Sequence, residues 1–272
     1  MYKNFVPKSE KLKKHIFNFS VLNNFEGRIS YLAFPQLGTS IGLYSNSDIK
    51  SEDRQLLISK TEVQNVQVLI LGKYKMPIKV VYDVHTPEIS INFTPTGLNY
   101  FFREDTSSIA QNRIQLLHSK QWKSITRKIF LQTCNYQRME TLESFLVDNL
   151  IEKEISEVEY CISFLSEHPE YKVSQIAKKL NVTTRTLNRW FINYIGCSPT
   201  DFKKISRFRK AVQMNYSNRF KNLTEICFEG GFYDSPHFNR EFKKLTNLSP
   251  RDFFSRIETV SENKIPYKFI DV

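Results

Sequence analysis

The sequence predicts an α+β chain, in which a β-rich N-terminal domain with trailing helices precedes an all-α C-terminal domain of two helical units joined by a long helix. Three observations support this fold class. Short β-branched and aromatic segments dominate residues 27–95. Apolar residues at helical spacing dominate the later part of the chain. A pattern of fifteen residues occurs twice in the C-terminal third.

The length and composition suit a folded chain of two domains. At 272 residues, with 40% hydrophobic residues, it can build two cores. We expect residues 1–150 to form the β-rich domain, 151–258 the helical domain and 259–272 a C-terminal tail. No stretch approaches the ~20 apolar residues of a membrane helix, and the charged N-terminus lacks the pattern of a secretion signal. These features predict a cytoplasmic protein that has no membrane contact.

The β-rich region consists of five segments punctuated by Gly, Pro, Asn, Asp and Ser. They are "RISYLAF", "TSIGLYS", "VQVLILG", "IKVVYDV" and "EISINFTP". Such segments are typical of a small antiparallel sheet or barrel. The apolar spacing of "QWKSITRKIF" and "METLESFLVDNLIEKEISEVEYCISFLSEH" predicts that helices follow.

The excess of positive over negative charge is confined to the C-terminal third. The net charge is +11, and residues 171–256 hold 17 Lys and Arg against 6 Asp and Glu, whereas the rest of the chain holds 22 of each. A focused basic field of this kind is typical of a surface that meets phosphate, although basic faces also serve solubility.

The same third contains an internal repeat. "NRWFINYIGCSPTDF" and "NREFKKLTNLSPRDF" begin at Asn188 and Asn239 and share seven identical positions at an offset of 51. Upstream, "SQIAKKLNV" matches "TEICFEGGF" at an offset of 50, so the second copy has one extra residue in its turn. Two related units therefore follow one another.

Each unit has the pattern of two helices and a tight turn, which is a helix-turn-helix. One apolar stripe of each second helix would face the core. The stripes are Leu187, Phe191 and Tyr194 in the first unit, and Phe238, Phe242 and Leu245 in the second. The segment "SPTDFKKISRFRKAVQMN" between the units predicts one continuous connecting helix.

The opposite faces carry groups that can recognise DNA. A helix fits the major groove, where Arg pairs with guanine and Asn with adenine. The candidates are Arg185, Asn188 and Arg189 in the first unit, and Ser235, His237, Arg240 and Lys244 in the second. On the connecting helix, the candidate phosphate contacts are Lys203, Lys204, Arg207 and Lys210.

These residues resemble the AraC/XylS-type bacterial transcription regulators over roughly Ser156 to Arg256. The most specific stretch, from Ile226 to Phe253, is similar to the signature of that family, with Asn247 where a glycine is usual. The resemblance implies groove-facing side chains at Thr184, Arg185, Asn188 and Arg189 in the first unit, and at Ser235, Pro236, His237 and Arg240 in the second.

The same resemblance implies a function. It points to a sequence-specific transcription regulator, more often an activator than a repressor, that binds double-stranded DNA and contacts RNA polymerase. "FPQLGTSIGLYS" and "INFTPTGLNYFF" are similar to parts of the sensory domains of some members. The N-terminal domain would then bind a small effector, form a homodimer or contact a partner.

Two other classes of function were weighed. An architectural DNA-binding protein of low sequence specificity would share the basic charge. A metal-dependent enzyme would need a site such as His85, Glu88 and His118, but a paired His-x-His is missing. Cys134 is interpreted as an ordinary thiol, and the scattered Cys161, Cys197 and Cys227 as reduced cysteines. We expect neither enzymatic activity nor a cofactor.

Overall fold

The predicted α+β fold is confirmed in a computed structural model, which describes residues 2–22, 24–103, 106, 114–168, 171–216, 222–259 and 266–269. The strands are β1 (Tyr2–Phe5), β2 (Ile16–Leu22), β3 (Ile29–Ala33), β4 (Ser40–Ser45), β5 (Ser47–Glu52), β6 (Gln55–Lys60), β7 (Val66–Leu71), β8 (Ile78–Tyr82), β9 (Glu88–Phe93), β10 (Ile114–Leu116), β11 (Glu258–Thr259) and β12 (Pro266–Phe269).

Most of the described helices lie after residue 119, and one short helix and a 3-10 helix at Gly97–Phe101 precede them in the described ranges. They are α1 (Glu10–Lys13), α2 (Lys120–Phe130), α3 (Asn135–Asp148), α4 (Ser156–Glu167), α5 (Val173–Lys179), α6 (Thr184–Ile195), α7 (Pro199–Tyr216), α8 (Leu223–Glu229), α9 (Ser235–Thr246) and α10 (Pro250–Arg256). None of the helices within the described ranges combines the length and the apolar composition needed to cross a membrane.

The strands form two six-stranded sheets. Their orders are β1-β2-β9-β4-β7-β10 and β11-β12-β3-β8-β6-β5. Every described strand pair is antiparallel except β6 with β8. The sheet region starts at Tyr2, earlier than the predicted residue 27. In β2 the apolar Phe17, Phe19 and Val21 alternate with Asn18 and Ser20, which are polar but buried.

Two cores hold the N-terminal domain together. One face of the first sheet packs on α2 and α3, where Trp122 and Leu142 are buried. The space between the sheets is filled by apolar residues and a tyrosine cluster that includes Tyr44 and Tyr82. Within this cluster lies Glu88, to which the hydroxyl of Ser90 donates a hydrogen bond of 2.6 Å and Tyr82 donates another. Burial raises the pKa of Glu88, and the hydroxyl groups stabilise its carboxylate.

The helical stretch predicted at residues 139–168 is interrupted. Residues 149–155 separate α3 from α4 and contain no helix or strand. The proposed boundary at residue 150 falls in this interruption and stays a prediction. Of the predicted tail, 260–265 and 270–272 lie outside the described residues, and Pro266–Phe269 pairs with β3 of the second sheet.

The segment between β3 and β4 enters the helical domain. Phe34 is fully buried there, and its ring centroid lies 5.0 Å from that of Phe253. Leu37 packs against both helical cores, the one around Phe191 and the one around Phe242. One loop of the N-terminal domain therefore contacts both halves of the helical domain.

Candidate nucleic-acid interface

The first unit consists of α5 and α6, and the second of α8 and α9. Both turn in the same way. The N–H of Val182 donates to the carbonyl of Ala177 at 2.9 Å, and the N–H of Phe232 donates to that of Cys227 at 3.1 Å. The residues before these donors, Asn181 and Gly231, have φ angles of 54° and 80°. Asn and Gly are the residues that adopt this left-handed conformation at the lowest cost.

Side chains cap the second helix of each unit at matching positions. Thr183 Oγ1 accepts from the N–H of Thr186 at 3.1 Å, and Asp234 Oδ1 accepts from that of His237 at 2.7 Å. These bonds satisfy N–H groups that would otherwise be unpaired at the start of a helix. Both helices end in a left-handed residue, Gly196 in the first unit. The equivalent residue in the second is Asn247, with φ 61°, so asparagine replaces the usual glycine without changing the geometry.

The aromatic cores of the two units are built from residues at equivalent positions of the repeat. Phe191 and Phe202 have ring centroids 5.6 Å apart with an interplanar angle of 78°. Their counterparts 51 residues later, Phe242 and Phe253, are 5.5 Å apart at 82°. All four side chains are at least 99% buried. The aromatic stripes inferred from the repeat therefore hold α6 and α9 from below and leave their opposite faces at the surface.

The outer face of α6 is exposed as predicted. Thr184, Arg185, Asn188 and Arg189 are all exposed. The side-chain amide of Asn188 donates to the carbonyl of Thr184 at 2.8 Å, which holds it along the helix surface. Trp190, next to this face, packs partly buried on the core of the first unit.

The outer face of α9 repeats this arrangement. Asn239, 51 residues after Asn188, donates to the carbonyl of Ser235 at 2.8 Å. Arg240 follows it, as Arg189 follows Asn188, and is exposed. A shallow depression on this surface is lined by Pro236, Asn239, Arg240, Lys243, Lys244 and Ser249. Asn239 and Lys243 were not among the predicted contacts, although the repeated Asn-Arg pair is a signal for Asn239.

Two predicted DNA contacts lie in an internal network instead. Arg207 donates to both carboxylate oxygens of Glu241 at 2.8 Å, with only 12% of the Arg207 side chain exposed. His237 Nε2 lies 3.1 Å from Glu241 Oε1, and His237 Nδ1 accepts from the N–H of Tyr233 at 3.3 Å. Glu241 thus binds both basic side chains, of which His237 is the more exposed at 24%. Sequence periodicity places a residue on a helix face but does not identify such a partner.

The lysines of α7 that were predicted to contact phosphate lie in different surroundings. The ammonium group of Lys203 donates to the carbonyl of Tyr171. Lys204 lies 3.7 Å from Asp201 in an i, i+3 ion pair. Lys210 is partly exposed. Of the four predicted phosphate contacts, Lys204 and Lys210 remain at the surface, whereas Lys203 and Arg207 fasten α7 to its neighbours.

The N-terminal domain makes polar contacts with the first unit. The amide of Asn99 donates to the carbonyl of Tyr194 in the last turn of α6 at 2.8 Å. Lys75 forms a 2.6 Å ion pair with Asp201. Lys73 is 5% exposed, donates to the carbonyl of Leu37, and lies near Cys197. Burial lowers the pKa of Lys73 to about 8 and raises that of Cys197 to about 11.

The residues considered for a metal site do not come together. In the described part of the chain, no three His, Cys, Asp or Glu side chains form a group that could hold a metal ion, and this includes His85, Glu88 and His118. His85 packs edge-on against Phe25, with ring centroids 5.3 Å apart. Cys134 is exposed, while Cys161, Cys197 and Cys227 are buried free thiols.

Comparison with known proteins agrees with this geometry. A family model described as a helix-turn-helix domain matches residues 176–256. These residues form a tandem helix-turn-helix domain, the class of domain that the repeat and its two exposed faces define. The domain is similar to the DNA-binding domains of AraC/XylS-type regulators.

One relative of the chain is the transcriptional activator RhaS of Escherichia coli, which is 30% identical over 112 residues. The match covers 40% of this chain and 40% of RhaS, so the chain spans about two fifths of the length of the curated relative. Among solved structures, ToxT from Vibrio cholerae covers 87% of this chain and 98% of its own, at 11% identity and a TM-score of 0.48. A likeness at that score carries no further conclusion.

Proposed function

We propose that the chain is a sequence-specific DNA-binding transcription regulator whose helices α6 and α9 enter successive major grooves. The observation that carries the proposal is the duplicated outer face. An exposed Asn-Arg pair occupies the same position of each unit, above matching aromatic cores. Arg can pair bidentately with guanine, and an exposed Asn with adenine. One such face would read only half of a site, whereas two can read both halves.

The contacts are assigned as follows. Base contacts come from the exposed residues of the two faces, which are Thr184, Arg185, Asn188 and Arg189 on α6, and Ser235, Pro236, Asn239, Arg240 and Lys244 on α9. Lys204 and Lys210 contact phosphate from α7. His237 and Arg207 support the second unit from within, because Glu241 occupies both of them.

The test starts from a duplex selected by the protein from a random pool. Arg240→Ala is expected to weaken binding to that duplex by about 1 to 3 kcal/mol and to relax the preference at one base pair. Arg189→Ala is expected to do the same about one helical turn away, 10 to 10.5 base pairs along the DNA. Gel-shift titrations measure both effects.

The matched control is Lys128→Ala, which removes the same charge from an exposed position of α2 in the N-terminal domain. It should bind as the wild type does. If both Arg240→Ala and Arg189→Ala bind the selected duplex with wild-type affinity, the proposal is wrong. A wild-type affinity ratio near unity between the selected and a scrambled duplex would indicate an architectural DNA-binding protein instead.

We further propose that the protein activates transcription, which is the role that the name of RhaS gives to that relative. The N-terminal domain would act as a sensory or dimerisation module, with a small-molecule effector, a second copy of the chain and RNA polymerase as partners. Loss of transcription next to the bound sites in a deletion strain tests activation. Sedimentation of the full chain with and without the duplex tests the homodimer.

A further inference from the structure

The turns of the two units differ by one residue, and the structure identifies it. In the first unit, the hydrogen-bonded Val182 is followed directly by the capping residue Thr183. In the second unit, Tyr233 stands between the equivalent Phe232 and Asp234. Tyr233 is therefore the additional residue of the second turn. Its side chain is 86% exposed, the highest fraction among the large exposed hydrophobic side chains of the described residues.

A chain of polar contacts fixes the backbone of this residue. The N–H of Tyr233 donates to Nδ1 of His237 at 3.3 Å. Nε2 of the same imidazole lies 3.1 Å from Oε1 of Glu241. Glu241 is in turn held by Arg207 of α7. The turn is thereby linked by these contacts to the connecting helix. The phenol takes no part in this network, and among the described residues its hydroxyl has no hydrogen-bond partner.

We propose that Tyr233 contacts the DNA backbone, with its hydroxyl donating to a phosphate oxygen and its ring lying against the adjacent deoxyribose. This inference rests on the proposed function of α9. The N-terminal residues of the second helix of such a unit contact base edges. A residue just before the helix cap then lies at the rim of the groove, where the phosphates are. Tyrosine hydroxyls are regular donors to phosphate, and such contacts fix register without reading sequence.

The experiment compares affinities for the selected duplex and for a scrambled duplex, by fluorescence anisotropy over a series of salt concentrations. Tyr233→Phe keeps the ring and is expected to weaken binding to both duplexes by the same factor, roughly 10-fold, as suits the loss of a hydrogen bond to a charged group. Tyr233→Ala also removes the ring contact and should weaken binding to both duplexes by a larger common factor. Because the phenol is neutral, neither variant should change the slope of log K against log salt, whereas Lys210→Ala, which removes a proposed phosphate contact, should lower it by about 1.

Each outcome separates this inference from the proposed function. If both Tyr233 variants bind as the wild type does while Arg240→Ala loses affinity, the Tyr233 contact is wrong and the function of α9 stands. If Arg240→Ala and Arg189→Ala also bind the selected duplex with wild-type affinity, the proposed function is wrong as well. Lost affinity for the selected duplex alone would indicate a base contact and overturn the phosphate assignment. Normal DNA affinity with lost transcription would assign Tyr233 to a protein partner and overturn the inference as well.

A folding control keeps the result interpretable. Circular dichroism melting of both Tyr233 variants should match the wild type, because the side chain is almost fully exposed. If Tyr233→Ala melts early, Tyr233→Phe, which leaves the ring in place, decides the outcome alone.

Discussion

The two helix-turn-helix units have the same internal geometry but are supported by different chemistry. Position 190 of the first unit holds Trp190, which packs on an apolar core. The equivalent position 51 residues later holds Glu241, which is 8% exposed at its side chain and pairs with Arg207. The N-terminal domain contacts the end of the first unit through Asn99, and its Lys75 pairs with Asp201 in the first turn of α7. The helix caps and aromatic cores are therefore shared by both units, whereas the contacts that hold each unit to the rest of the molecule differ.

The largest expected effect tests whether the two cores are equivalent. Phe191→Ala and Phe242→Ala should each lower the free energy of unfolding by about 3 to 5 kcal/mol, because both side chains are fully buried among aromatic neighbours. Urea titration of the full chain measures the loss. Phe228→Ala, at an exposed position of α8, is the control and should cost less than about 0.5 kcal/mol. A small loss in only one of the two core variants would contradict the equivalence.

The second prediction concerns the ion pair between α7 and the second unit. Arg207→Ala removes one of the two basic partners of the buried carboxylate of Glu241 and should cost about 3 kcal/mol. Hydrogen exchange should place the loss of protection at α9 rather than α6. Lys210→Ala on the same helix is the control, with an expected cost below about 0.5 kcal/mol. The double variant Arg207→Met with Glu241→Leu should recover most of the loss, because no unpaired charge remains. Equal loss of protection at α6 would show that the pair supports both units.

The smallest effect concerns the contact of the N-terminal domain with the first unit. The pKa of Lys73 is about 8 in the folded protein and about 10.5 when unfolded. Between these values the unfolded chain binds more protons, so stability rises with pH. The pKa of Cys197 shifts from 9 to about 11, so its contribution falls above pH 9. Wild-type stability should therefore increase from pH 8 to 9, by about 1 kcal/mol.

Lys73→Met removes the group that titrates and should abolish this rise, which urea titrations at pH 7, 8 and 9 can measure. The matched control is Lys128→Met at an exposed position of α2, which should keep the rise. A rise of unchanged size in Lys73→Met would show that another group is responsible.

Much of the fold follows from local pattern. The five strand segments between residues 27 and 95 and the two helical units were identifiable because their apolar spacing matches the period of the element. The repeat also identified matching apolar stripes, and the resemblance placed Asn247 where a glycine is usual, a position that is left-handed in the structure. Strand β2 was not predicted, although its apolar Phe17, Phe19 and Val21 alternate with the polar Asn18 and Ser20, which is the period of a strand.

The site was predictable only in part. Helical periodicity correctly placed Arg189 and Arg240 on exposed faces. It could not reveal that Glu241 binds both Arg207 and His237, since that partnership depends on how α7 and α9 pack together. Nor could it show that Asn99, almost one hundred residues away, contacts the end of α6. Tertiary partners of polar side chains are not encoded in a local period.

The packing of Leu37 against both helical cores has a consequence for the spacing of the two half-sites that the protein would bind on DNA. A protein that reads two grooves must match the helical phase of its site, and one base pair of extra spacing turns the second half by about 34°. The spacing tolerance of such a protein depends on how freely its two units can rotate relative to one another. A single loop packed against both of them would make that tolerance depend on the N-terminal domain as well as on the two units.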